Sequence, residues 1–229
     1  YGANGFLGEF IAREALKSGL KPILGGRDAV KIKQLATELG VESRVFNLTD
    51  QIRVEQALKG VSLVMNCAGP YKDTSKSMVD ACLKTGTHYM DLTAELPVFE
   101  AIAARDQEAK AKSVMLLPGI GFDVVPTDCL AAHLKKRLPT ASQLTLAFQN
   151  EGSTGLPPGT QRTWIELIPI GNCVRVHGEL VVPKVKIKKR KFDFGNGPIE
   201  TTRLTWGDLF TAYYNTAIPN IEVYAALPK

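Results

Sequence analysis

Tyr1-Gly2-Ala3-Asn4-Gly5-Phe6-Leu7-Gly8, the first eight residues of the chain, decide its fold. Glycine at positions 2, 5 and 8 gives G-x-x-G-x-x-G. That spacing lets a backbone turn tightly, approach a pyrophosphate and start a helix packed closely on a strand. Phe6, Leu7, Phe10, Ile11, Ala15 and Leu16 follow at helical spacing, so a helix with an apolar face is expected to begin inside the motif. Its first amides have no acceptor within the helix and, together with the helix dipole, favour an anion above the glycines. A turn of this kind is fed by a buried strand. Only Tyr1 precedes the glycines, so the chain is expected to start inside that strand.

Three spaced glycines also open ordinary helices, so the next strand must supply the meaning. After a helix stop at Gly19, Lys21-Pro22-Ile23-Leu24-Gly25-Gly26 reads as that strand. In a dinucleotide-binding sheet an acid at its end takes the ribose hydroxyls of NAD, whereas an arginine accommodates the 2′-phosphate of NADP. Here the place holds Gly25, Gly26 and Arg27. Arg27 offers a bidentate, charge-assisted contact to a phosphate that an acid would repel. NADP(H) is therefore the expected cofactor. Asp28 reads as the N-cap of a helix carrying Val30, Ile32, Leu35, Ala36 and Leu39.

The alternation then continues unbroken. Val45-Phe46 is a third strand, and Asp50 either caps the following short helix or lies with Asn47 near an adenine. Val61 to Asn66 is an uninterrupted, mainly apolar run that predicts a strand buried on both faces, ending in Cys67-Ala68-Gly69-Pro70-Tyr71. In an open parallel sheet the loops at the carboxyl ends of strands line the ligand crevice, which places Ala68, Gly69 and Pro70 beside the nicotinamide half of the cofactor. A helix through Met78 and Leu83, a strand from Thr87 to Leu92, a helix from Glu95 to Ala111 and a strand Val114–Leu117 complete the pattern. Strand and helix in strict alternation predict an α/β fold, a Rossmann-type doubly wound parallel sheet over residues 1–138. Past Pro139 the pattern changes to that of a second, α+β domain over 139–229.

Composition narrows the class further. A 229-residue chain with 45% hydrophobic and 22% charged residues can bury ordinary cores. Cys67, Cys82, Cys129 and Cys173 and the three histidines are scattered without metal-ligand spacing, so no disulfide framework and no metal are expected, and a cytoplasmic setting fits best. No apolar run reaches the roughly twenty residues of a membrane helix. The net charge of +5 is localised, since Lys184, Lys186, Lys188, Lys189, Arg190 and Lys191 leave the remainder close to neutral. Lysines alternating with Val185 and Ile187 predict an exposed, lysine-protected strand rather than a nucleic-acid surface, with an anionic substrate carrier as the alternative.

Gly119-Ile120-Gly121-Phe122-Asp123-Val124-Val125-Pro126-Thr127-Asp128, read with Cys67 to Tyr71 and Gly86 to Glu95, resembles the saccharopine dehydrogenase-like oxidoreductases. Within them it resembles the branch that includes the trans-acting enoyl reductases, as do Trp206-Gly207-Asp208, Thr211-Ala212-Tyr213 and Ile218 to Tyr224. The resemblance implies an NADP-binding domain in which Gly2, Ala3, Asn4, Gly5, Phe6, Leu7, Gly8 and Arg27 hold the dinucleotide while Ala68, Gly69 and Pro70 border its nicotinamide. It implies a second domain that supplies dimer contacts and the substrate side. Members of this family run beyond the position of Lys229, so the chain is expected to be truncated at both ends.

Asp91, Glu95, Phe122 and Asp123 are the substrate-side candidates, with Asp128 beside them. Asp91 has the alternative of accepting hydrogen bonds from loop amides, and Asp123 that of capping the helix near Pro126. Tyr71 is the candidate proton donor or substrate-positioning group, with packing against the cofactor as its other role. In the second segment a helix is expected at Thr160–Leu167, a hairpin around His177-Gly178 and a loop from Gly152 to Gly159 that either acts as a lid or is plain surface. Trp206, Tyr213 and Tyr214 read as pocket lining or as core anchors. The expected activity is hydride transfer from NADPH to the C=C bond of an acyl or lipid-like small molecule. A saccharopine-type imine dehydrogenase and a non-catalytic NADP sensor are the other readings.

Overall fold

The computed structural model describes residues 1–149, 172–184 and 187–226, so the loop and helix expected between Gly152 and Leu167 lie outside the described residues. The chain forms two compact units, Tyr1–Thr93 with Glu100–Ile120, and Ala94–Phe99 with the described residues from Gly121 onward. The expected boundary at 138/139 falls inside the second unit, because the helix Val125–Arg137 clusters there.

In order, the elements of the first part are α1 (Phe6–Lys17), β1 (Leu24–Gly26), α2 (Ala29–Leu39), β2 (Ser43–Val45), α3 (Gln51–Leu58), β3 (Leu63–Asn66), α4 (Tyr71–Thr85), β4 (His88–Asp91), α5 (Leu96–Ala103), α6 (Asp106–Ala111) and β5 (Leu116–Leu117). β1 pairs with β2, and β3, β4 and β5 form a second sheet, every pair parallel. Tyr1 joins the two. Its nitrogen donates to the Met65 carbonyl at 2.6 Å, its carbonyl accepts from Cys67 N at 2.8 Å, and the Gly2 amide donates to the Gly25 carbonyl at 2.9 Å. The order β2, β1, Tyr1, β3, β4, β5 is that of a doubly wound sheet, with the strand order reversing at the first residue. Asp28 and Asp50 cap α2 and α3 as expected, accepting from Lys31 N and Arg53 N at 3.1 Å each.

Two expectations about burial are corrected. α1 turns Gly8 and Ala12 inward and leaves Phe6, Leu7 and Phe10 exposed, at 75%, 45% and 59%. Only small residues fit where this helix meets the turn, so its large apolar residues marked the helix without marking its buried face. β3 buries Val64 and Asn66 but exposes Leu63, so the strand is covered on one face.

The second part contains α7 (Val125–Arg137), β6 (Gln143–Gln149), β7 (Val174–Val176), β8 (Glu179–Val181), β9 (Lys189–Asp193), β10 (Pro198–Arg203), α8 (Asp208–Thr216) and β11 (Asn220–Ala226). β11 is the centre of a mixed sheet, parallel to β6 along one edge and antiparallel to β10 and β7 along the other. One face, through Ile221 and Val223, packs with Leu96, Ala131, Leu146, Trp206, Leu209 and Ala212. The predicted hairpin is β7–β8, with His177 and Gly178 both at positive φ, the geometry of a type I′ turn. β9 is an edge strand, paired only with β10 among the described residues, and Lys189 reaches Glu200 at 2.7 Å. An edge bearing lysines discourages pairing with another chain.

Candidate functional site

Gly2 brings two loops together. It sits at φ +81, and a β-carbon there would lie 2.9 Å from Ala68 N and 3.0 Å from Cys67 C. The glycine turn and the Cys67–Tyr71 loop therefore touch backbone to backbone, which no other residue permits. Gly8 is tighter still, since its β-carbon would stand 2.2 Å from the Gly2 carbonyl oxygen and 2.9 Å from Ala3 Cα. Gly5 N donates to Gly2 O at 3.0 Å and Glu9 N to Gly5 O at 2.9 Å. Between them the amides of Phe6, Leu7 and Gly8 have no backbone acceptor among the described residues. Gly5, as N-cap, has no side chain to cover them.

Beside this turn, Gly26 leaves room for Ile32 and for Asn4, whose Oδ1 would be 3.2 Å from a β-carbon there. Arg27 follows, exposed and without an ion-pair partner among the described residues. Burial pushes the Tyr1 phenol up, and the positive charge of Arg27 draws it partly back, so the guanidinium stands near the turn. Free amides at a helix start, backbone cleared by missing β-carbons and an uncommitted guanidinium fit a phosphorylated dinucleotide.

On the other side the Gly69–Pro70 peptide is cis, and Tyr71 opens α4 with its ring against Gly69, 3.7 Å from where a β-carbon would be. Ala68 is held from both ends: its N–H donates to Asn66 Oδ1 at 3.2 Å and its carbonyl accepts from the Thr74 hydroxyl at 2.6 Å. Asn66 Nδ2 donates to Tyr89 Oη at 3.4 Å, and Tyr89 Oη donates to Asp91 Oδ2 at 2.7 Å. Asp91 is wholly buried and its other oxygen accepts from the amides of Thr93 and Gly119 at 3.0 and 2.9 Å. Burial raises its pKa and that of Tyr89. The network ties the carboxyl ends of β3, β4 and β5 to one another. Asp91 thus takes the loop-amide role.

Glu95, Phe122 and Asp123 belong to the second unit. Glu95 is buried and Phe122 is 77% exposed. Asp123 does not cap α7, whose start at Val124 has no side-chain cap; the Asp123 carbonyl instead accepts from Trp206 Nε1 at 2.6 Å. Pro126 in the first turn removes one of the donors a cap would serve. Trp206 is buried, tilted on Phe148 at 5.2 Å, and so acts as a core anchor, whereas Tyr214 is exposed. Among the described residues no group of three or more His, Cys, Asp or Glu side chains could hold a metal, and no helix is long and apolar enough to cross a membrane.

Residues 1–117 match the family model described as the saccharopine dehydrogenase NADP-binding domain. The chain belongs to that family. It is 29% identical over 181 residues to a saccharopine dehydrogenase-like oxidoreductase of Mus musculus, covering 68% of this chain and 42% of the relative. It is 30% identical over 146 residues to a trans-acting enoyl reductase of Mycobacterium leprae, covering 60% and 35%. Among solved structures it is similar to apo saccharopine dehydrogenase (L-Glu forming) from Saccharomyces cerevisiae, with a TM-score of 0.65 at 13% identity, over 94% of this chain and 52% of that one. The chain spans less than half the length of the curated relatives it matches.

In this saccharopine dehydrogenase-type NADP-binding domain, sequence reading missed Asn66, Thr74 and Tyr89. The available signal was Asn66, a polar residue ending an apolar strand, where an unpaired amide would be costly. In the second unit it missed Asp208. This carboxylate is fully buried at the start of α8, and among the described residues neither oxygen has a partner at hydrogen-bond geometry. The amides of Leu209, Phe210 and Thr211 are spent on the carbonyls of Trp206 and Gly207, and the Thr127 hydroxyl on that of Val124. Burial first, helped by the charges of Asp128 and Asp123, outweighs the lowering pull of the nearby Thr127 hydroxyl and of the Asp208 amide and pushes its pKa up to about 7.

Proposed function

We propose that the chain carries the cofactor domain and part of the substrate side of an NADPH-dependent oxidoreductase that reduces a C=C bond in an acyl or lipid-like molecule. The observation that supports it is the uncommitted row of amides at Phe6, Leu7 and Gly8 beside an uncommitted Arg27. The nicotinamide, when bound, supplies the hydride. Gly2 to Gly8 and Arg27 bind the phosphates, and Ala68, Gly69 and Pro70, fixed by Asn66 and Thr74, border the ring. Tyr71, half-buried at the start of α4, donates or positions the proton that balances hydride addition. Glu95, Phe122 and Asp123 are assigned to the substrate side, and the second unit to contacts with a second copy in a homodimer. Sequence similarity to the trans-acting enoyl reductase supports the choice of acceptor.

Loss of NADPH absorbance followed over a panel of enoyl thioesters, imino acids and ketones tests the acceptor. Turnover is expected with enoyl thioesters. Turnover confined to imino acids would replace this reading with a saccharopine-type dehydrogenase, and tight NADPH binding with no turnover would replace it with a cofactor sensor. Tyr71→Phe is expected to lower kcat roughly 100-fold, the usual contribution of a positioned acid, with NADPH affinity unchanged. Full turnover by this variant at saturating cofactor and substrate removes Tyr71 from the chemistry.

A further inference from the structure

β10 ends in a buried arginine whose charge is only partly answered. Arg203 is 4% exposed. Its Nη1 donates to Glu222 Oε1 at 3.1 Å, while Nε and Nη2, both buried, have no acceptor among the described residues. Glu222 is already divided, accepting from Lys188 Nζ at 3.2 Å and from Tyr224 Oη at 3.0 Å. Two cations share one carboxylate here, leaving a local charge of about plus one. The acid of the neighbouring β9, Asp193, lies at its far end opposite Pro198 and accepts from the Gly195 and Gly197 amides, while Lys189 is turned to Glu200 and Arg190 lies over the Phe192 ring at 4.9 Å.

The two idle donors are the ones on a single edge of the planar guanidinium. Their N–H bonds run nearly parallel, and that edge is the one on which a carboxylate sits side-on with both oxygens engaged. A buried charged donor left unmade is costly, so the fold retains Arg203 against a penalty that a ligand would remove. Shielding from water strengthens the pair that would form. Glu222 and Lys188, which reach solvent, flank the guanidinium.

We propose that the Nε–Nη2 edge of Arg203 is a binding site for the carboxylate of a small-molecule ligand, formed by the second unit alone. It is independent of the dinucleotide turn. The test is a titration of the full chain, loaded with NADPH, with sodium succinate against sodium chloride at matched ionic strength, followed by the Arg203 Nε–H resonance. That resonance is assigned by its loss in Arg203→Lys. It is expected to shift saturably with succinate and not with chloride. In thermal melts Arg203→Lys, which keeps the charge and loses the fork, is expected to weaken the succinate response at least tenfold. Glu222→Gln, which removes the carboxylate's negative charge and so raises the local positive charge, is expected to tighten it about threefold. NADPH affinity should be unchanged in both variants, separating this site from the cofactor reading. Equal shifts with chloride, an unaltered response in Arg203→Lys or Glu222→Gln, or saturation by inorganic phosphate but not by succinate would overturn the assignment.

Discussion

Gly8→Ala is expected to destabilise the first unit by roughly 3 kcal/mol or more and to weaken NADPH binding at least 100-fold. Its β-carbon would lie 2.2 Å from Gly2 O, 2.9 Å from Ala3 Cα and 2.9 Å from Gly2 C. All three are backbone atoms, so no side chain can rotate away, and α1 must move off the turn. Moving it tilts the free amides of Phe6 and Leu7 and breaks the approach of Gly2 to Ala68. Gly5→Ala is the control. Its nearest atom would be Gly2 O at 3.3 Å, and its backbone is extended at φ −84, which any residue adopts. It is expected to cost under about 1 kcal/mol, in the range of an alanine at an N-cap. Denaturant melts with NADPH fluorescence titrations check both, and a Gly8→Ala chain that melts with the parent would refute the close packing.

The second large effect is a gain. Asp208→Asn is expected to stabilise the protein at pH 8 and to lose that advantage by pH 4. The Asp208 carboxyl titrates near pH 7 in the folded chain, above its ordinary value of 3.8. The folded state therefore keeps a proton that the unfolded state has released. Stability contributed by that proton is fully present below about pH 4 and falls by about 1.4 kcal/mol per pH unit up to about pH 7. At pH 8 the parent has lost on the order of 4 kcal/mol through this one group, whereas the isosteric amide has lost none. Melting temperatures across pH 4–8 should converge at the acidic end and separate by on the order of 10 °C at the basic end. Parallel curves would mean that Asp208 is solvated or paired.

These two predictions mark what the residues disclosed in advance and what they did not. Glycine spacing is a local property, so Gly2, Gly5 and Gly8 could be assigned to a turn, and Asp28 and Asp50 to caps, without knowing what lay across from them. The hairpin at His177-Gly178 was legible for the same reason. The inward face of α1 was not, because Gly8 and Ala12 are buried by a close approach that a scale of apolarity reads as indifferent. Asp91 was legible as a carboxylate at a strand end, but its donors come from Tyr89, Thr93 and Gly119, the last far away in the chain. Asp208 and Arg203 look like ordinary surface residues until it is known that both are buried, with the Asp208 oxygens and the Arg203 Nε and Nη2 lacking hydrogen-bond partners among the described residues. The expected cap at Asp123 failed because the N-cap position falls one residue later, on Val124, and the Asp123 carbonyl, not its carboxylate, carries the contact.

Cofactor choice rests on Arg27, which stands at the end of β1 where an NAD-binding sheet would place an acid. The ratio of NADPH to NADH affinity, measured by fluorescence titration for the parent and for Arg27→Ala, tests this most directly. A preference for NADPH of at least 100-fold in the parent, falling to below tenfold in Arg27→Ala with NADH affinity unchanged, is the expected result, in keeping with a charge-assisted contact worth about 1.5–3 kcal/mol. Equal affinities in the parent, or a preference untouched by Arg27→Ala, would contradict the account.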